Sequence, residues 1–170
     1  MKLSTRAWIF AAAFFALVFV VALGASAKLT PDQASQLNQT VSGLGHGTLA
    51  IFFNNARVDL IEFVPILGPA FGVYVSYNTG LAIEAITQSS SIQGISAIEA
   101  FLALMLTPIF WMEFFSYSLA VEESFAILIA ARKKEDLSVE LRWLVGSLLL
   151  AMAVLFVSAR LESSIVGMFG

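Results

Sequence analysis

LAIFFNNARVDLIEFVPILGPAFGVYVSYNTGLAI, residues 49–83, decides how this chain is read. Apolar side chains fill most of it, yet Asn54, Asn55, Arg57, Asp59, Glu62 and Asn78 are set among them. A charge at the centre of a bilayer-spanning helix costs about 2.5–3.5 kcal/mol on insertion scales. If the stretch lies in a membrane, these groups must therefore face other helices, a wet cavity or a partner.

The rest of the chain makes the membrane setting the expected one. Of 170 residues, 59% are hydrophobic and 12% charged, where soluble domains average about 45–50% and 25%. Mean hydropathy is +0.87. The apolar runs are long and continuous, unlike the roughly 10-residue alternating strands of a membrane barrel, so the expected class is all-α. Cysteine is absent and His46 is the one histidine, which excludes a zinc site built from His and Cys but not a carboxylate site. No cofactor is expected. Net charge is −3 and the basic residues cluster only at Arg132-Lys133-Lys134, so no nucleic-acid partner is expected either.

Four segments follow from length, punctuation and charge. Residues 1–28 hold an N-terminal membrane helix: residues 7–27 reach the ~20 apolar residues a crossing needs. A small-residue Ala25-Ser26-Ala27 gives a signal-peptide alternative, but the apolar stretch exceeds the 7–15 residues of a signal core, and a retained helix is expected. Residues 29–44 are polar and extracytoplasmic, with a short surface helix capped by Thr30 and opened by Pro31. Residues 45–163 form the bundle core, and 164–170 a tail.

Within the core, residues 45–63 read as one helix that breaks near Val64, ahead of Pro65. Residues 65–69 read as a kinked connection, 71–86 as a second helix interrupted at Gly72 and Gly80, and 87–94 as a loop. Pro108 divides residues 96–131 into a short helix over 98–106 and a crossing over 109–131. Residues 132–136 form a charged loop before a last crossing over 137–160. Positive charge favours the cytoplasm, which places Lys2, Arg6 and Arg132–Lys134 inside. An odd number of crossings must lie between them. Three fits best, giving a polytopic helix bundle of about five crossings with kinked or half-length helices. A re-entrant hairpin over residues 45–67 would instead leave three full spans plus half-helices, and the charge rule allows both.

On an ideal helix Asn55, Asp59 and Glu62 share a face, with Arg57 roughly opposite Asp59. Two interpretations stand: a buried polar seam that contacts another helix or binds an ion, or a helix end at the interface where Asp59 and Glu62 reach water and Arg57 snorkels. Asn54-Asn55 points to at least one bond across to another helix. Glu113 sits among Trp111, Phe114 and Phe115, with Tyr117 on its face, and is either structural or proton-active. A Glu122-Glu123 doublet inside a crossing is costly unless one carboxylate faces a cavity or caps another helix. Gly68 and Gly72 have close-packing spacing. His46 reads as a helix-end residue at the interface.

The run over residues 51–80 resembles the core signature of the stage II sporulation protein M family: Phe53-Asn54-Asn55, the Gly68 and Gly72 region, and Asn78 two residues before Gly80. A second resemblance, TPIFWMEFFSYSLA over 107–120, places Pro108 five residues before Glu113. Many family members carry His and Gly after that proline, where this chain has Ile109 and Phe110. The short chain is similar to archaeal members. The resemblance implies a polytopic membrane anchor or scaffold, not an enzyme; the expected location is the cell membrane, with the N-terminus cytoplasmic by the charge rule. Its expected partners are membrane lipids, other membrane or extracytoplasmic proteins, and as a further option a second copy of itself. Asn54, Asn55, Asn78 and Glu113 would fix the helix packing. The rival function is a permease-like subunit using the intramembrane carboxylates.

Overall fold

The computed structural model describes residues 1–45, 47–89 and 94–169, with side chains through Ile165, and every regular element among them is helical. They are α1 (Leu3–Ala25), α2 (Pro31–Ser42), α3 (Thr48–Glu62), α4 (Leu67–Ser89), α5 (Ala97–Met105), α6 (Pro108–Lys133) and α7 (Leu137–Phe169). Three of these, α1, α6 and the 137–165 part of α7, are long and apolar enough to cross a membrane. The chain is an all-α protein of membrane type. His46 and residues 90–93, which include part of the expected 87–94 loop, lie outside the described residues.

Local sequence sets most helix boundaries. Thr30 and Gln33 form a reciprocal capping box ahead of Pro31, and Ser96 and Glu99 form another at the start of α5; each satisfies amide groups that a helix start leaves orphaned. Thr107 caps α6 and Pro108 occupies its first turn, where a missing N–H costs nothing. Two expectations are corrected. The 65–69 connection is shorter than the sequence suggests: α4 already begins at Leu67 and runs through Gly72 and Gly80 without a break, because Pro69 falls in its first turn. The expected 87–94 loop starts later, since α4 continues to Ser89; at the other end of the chain α7 runs helical to Phe169.

The helices share two ends. Arg6 near the start of α1 bonds Glu140 near the start of α7, so the beginning of α1 and the α6–α7 connection lie together, as the charge pattern requires for Lys2, Arg6 and Arg132–Lys134. At the other end Gln88 of α4 reaches the Leu29 carbonyl, and Thr48 of α3 meets Ser163 of α7 at 2.6 Å. Helix α4 runs parallel to α1, with Gly72 beside Leu17 and Gly80 beside Gly24. Helix α3 runs antiparallel to α7: Phe52 stacks edge-on against Phe156, and Phe63 packs with Leu144, Leu148 and Ala151.

Helices α3 and α4 thus form a hairpin that opens at the far end. Its tip, residues 63–66, stops beside Ser124, whose Oγ donates to the Val64 carbonyl at 3.0 Å. Ser124 is nine residues before Lys133, or about 14 Å along the helix. The tip is apolar, and Val64, Ile66 and Leu67 are exposed. Ile66 adopts φ 73° to make the turn, and Gly68 permits it: a Cβ there would stand 1.8 Å from the Glu62 carbonyl oxygen. The main core joins Leu17, Val21, Ile83, Phe101, Phe110, Phe114, Tyr117, Val121 and Leu155.

Candidate functional site

Two buried polar centres occupy the bundle. The first joins three helices. Arg6 of α1 donates from Nη1 to both carboxylate oxygens of Glu122 at 3.0 and 3.2 Å and to Glu123 Oε1 at 2.9 Å, both on α6. Its Nη2 bonds Glu140 on α7, against which the Met1 amine also lies. Ser147 Oγ donates to Glu123 Oε1 at 2.6 Å, and the guanidinium carbon lies 5.1 Å from the centre of the Trp143 ring. Arg6 is 5% exposed, Glu122 3%, Glu123 0% and Glu140 2%. One planar fork of donors therefore serves three carboxylates from two other helices, a geometry a lysine ammonium does not reproduce. Glu123 Oε2 and Arg6 Nε have no hydrogen-bond partner among the described residues.

The second centre lies between the α3–α4 hairpin, α6 and α7. Asn55 Nδ2 donates to Glu113 Oε1 at 2.6 Å, which ties α3 to α6. Asp59 and Glu62, one and two turns further along α3, are 0% and 1% exposed. Neither Asp59 oxygen has a hydrogen-bond partner among the described residues, nor does Glu62 Oε2. A side chain at Gly72 would bring its Cβ to 3.2 Å from Glu62 Oε1, so the glycine leaves room for that carboxylate under α4. Tyr117 is buried among these groups, within electrostatic reach of Asp59, Glu62, Glu113 and Glu162.

The residues singled out in the sequence divide accordingly. The structure brings together Asn55, Asp59, Glu62, Gly72 and Glu113. The interface alternative for Asp59 and Glu62 is corrected, since both are sealed from solvent, while Arg57 is exposed. Asn54 is exposed, and its side-chain amide donates to its neighbour, Nδ2 to Asn55 Oδ1 at 3.5 Å. Asn78 bonds back to the Tyr74 carbonyl of its own helix at 2.8 Å. Neither fixes a contact between helices. Gly68 serves the turn and Gly80 the α1–α4 crossing, and Pro108 opens α6.

Sequence reasoning missed the first centre as a unit. Arg6 carried only a topological meaning, Glu122-Glu123 lacked a partner, and Glu140 and Ser147 were not considered. A signal existed: Glu140, Ser147 and Ser158 recur at steps of seven and eleven on α7, which keeps polar groups on one face, and all three are buried.

Among the described residues no three His, Cys, Asp or Glu side chains form a group able to hold a metal ion. A groove of about 690 Å³ lies between α4 and α5, lined by Ile83, Ile86, Glu99, Ala103 and Leu104, away from Asn55, Asp59, Glu62 and Glu113. No protein-family model, curated protein or solved structure matches the chain.

Proposed function

We propose that the chain is a non-enzymatic integral membrane scaffold or accessory subunit of a membrane protein complex, an archaeal-type member of the stage II sporulation protein M family. It sits in the cell membrane with its N-terminus cytoplasmic. The observation that carries this is the Arg6 centre: its buried ion pairs join α1, α6 and α7 to one another. Buried ion pairs of this kind are better attested as fixing one arrangement than as adding stability. Asn55 and Glu113 do the same for α3 and α6.

In this reading α1, α6 and α7 span the bilayer and the α3–α4 hairpin is re-entrant from the extracytoplasmic side. Three features support it. Helix α3 has 15 residues, or about 22 Å, short of the ~30 Å hydrocarbon core. Its tip ends well before the charged end of α6. The tip carries Val64, Pro65, Ile66 and Leu67, whereas the α6–α7 connection carries Arg132, Lys133, Lys134, Glu135 and Asp136. Non-helical backbone at membrane depth needs internal partners; here the Val64 carbonyl accepts from both Ser124 Oγ and the Gly68 amide.

The test is extraction in a mild detergent followed by measurement of what co-purifies at fixed stoichiometry. A constant set of membrane or extracytoplasmic proteins is expected. Isolation alone or as a homodimer would count against the scaffold.

A second reading, a permease-like transport subunit, rests on one observation. Asp59 is fully buried near the tip of a broken hairpin, with both oxygens unpartnered among the described residues. Intramembrane carboxylates and interrupted helices are what transporters use to build midplane sites. Ion flux through reconstituted protein that Asp59→Asn abolishes would favour it over the scaffold.

A further inference from the structure

Along the outer side of α7, Val139, Arg142, Trp143, Gly146 and Leu150 line an open groove of about 460 Å³. They recur at three- and four-residue steps and so lie on one side of the helix. Gly146 forms the floor: a Cβ there would meet nothing within 4 Å. Val139, Trp143 and Leu150 are each about half exposed. Arg142 is the one charged residue of the lining, and no ion pair among the described residues involves it. Glu140, two positions earlier, is turned inward onto Arg6.

The charge around the groove has one sign to spare. Arg132, Lys133 and Lys134 stand exposed at the same end of α7. Glu135 and Asp136 stand beside them, and the Ser138 amide at 2.9 Å and hydroxyl at 2.7 Å hold the Asp136 carboxyl below the usual carboxylate range, so it keeps its negative charge and the three basic residues exceed the two acids by one. Arg142 lies five residues into α7, about 7 Å from its start, and Leu150 about 12 Å deeper. In the topology proposed above, the start of α7 lies at the membrane surface, so the Arg142 guanidinium heads a largely apolar trough that runs along α7 towards the bilayer interior.

We propose that this groove holds one anionic phospholipid, its phosphate on Arg142 and an acyl chain along Trp143, Gly146 and Leu150. Charge complementarity selects this occupant over a second copy. Two-fold-related parallel α7 helices meeting on this face would set Arg142 against Arg142, and like charges there repel. A zwitterionic lipid fits the trough but brings the guanidinium no net negative charge.

The test is native mass spectrometry of the full chain released from nanodiscs of equal parts phosphatidylglycerol and phosphatidylcholine. Preferential retention of one phosphatidylglycerol is expected. Arg142→Ala should reduce that preference about fivefold, the effect of one basic residue at an anionic surface. Gly146→Leu fills the floor without touching the charge and should also lower retention. Both positions are exposed, so the circular dichroism of each variant should match the parent. Equal retention of the two lipids, an Arg142→Ala variant that keeps the preference, a Gly146→Leu variant with unchanged retention, or a dimer that forms on this face and excludes lipid would each overturn the proposal.

Discussion

Gly24 of α1 and Gly80 of α4 pack backbone to backbone. A Cβ on Gly24 would stand 2.2 Å from the Tyr77 carbonyl oxygen, and one on Gly80 would stand 2.2 Å from the Val21 carbonyl oxygen. Such close approach is how helices associate in lipid, where the hydrophobic effect cannot drive them together. Neither neighbour is a side chain that could swing aside. We predict that Gly24→Ala and Gly80→Ala each force the two helices apart and destabilise the fold by about 1–3 kcal/mol, the range for overpacking. Gly146→Ala, with open space around it, serves as the control. Thermal unfolding in detergent checks this; equal midpoints for all three variants would remove the crossing as a packing determinant.

Arg6 should be the most sensitive single charge in the chain. Its removal leaves Glu122, Glu123 and Glu140 facing one another inside the bundle. Breaking a buried ion pair from one side costs about 3–5 kcal/mol, because the charge left behind has no partner. Arg6→Met is expected to show a loss of that size, and Arg6→Lys a smaller one. Combining Arg6→Met with Glu123→Gln and Glu140→Gln should recover part of the loss. An Arg6→Met variant within about 0.5 kcal/mol of the parent, the usual range for surface substitutions, would mean that the network does not form.

These two relationships show what was legible in the sequence and what was not. Helix starts could be read from short-range chemistry: Thr30 with Pro31, and Thr107 with Pro108, act within one turn of themselves. The shared face of Asn55, Asp59 and Glu62 follows from helical period alone, and so does the cost of burying them. Period does not reveal a partner. Asn55 meets Glu113 from 58 positions away, and Arg6 meets Glu140 from 134 away; nothing local to either residue encodes the meeting. Gly24 was likewise silent because its meaning depends on Gly80. Asn78 misled for the opposite reason: an amide on a helix can bond the carbonyl four residues back, so its presence in an apolar run does not require a neighbouring helix.

Asp59 separates stability from function. A fully buried carboxylate with both oxygens unpartnered among the described residues carries a desolvation cost that no hydrogen bond offsets. Leucine matches its branching without the polar atoms. Asp59→Leu is therefore expected to leave stability unchanged or raise it by about 1–3 kcal/mol, the penalty of an unsatisfied buried group. Asn55→Leu, which breaks the bond to Glu113, should act in the opposite direction. Denaturant or thermal unfolding of the two variants side by side is the measurement. Strong destabilisation by Asp59→Leu would show that the carboxylate has a partner in the membrane.

The depth of the α3–α4 tip can be measured directly, because the chain has no cysteine of its own. Single cysteines at Ile66 and at Lys134 both stand on exposed positions, so labelling by a membrane-impermeant maleimide reports their surroundings rather than burial in protein. Lys134 follows the last turn of α6 among charged residues and should react from the cytoplasmic side. Ile66 sits at a tip that carries no charged residue, beside Ser124 and about 14 Å short of the end of α6. It should resist the reagent from both sides of the membrane and react once detergent is added. Substitution there also tests the turn, since a non-glycine residue at φ 73° stores about 1–3 kcal/mol of strain, and Ile66→Gly should release part of it. Reaction of Ile66→Cys from the same side as Lys134→Cys would carry the hairpin across the bilayer and restore five crossings.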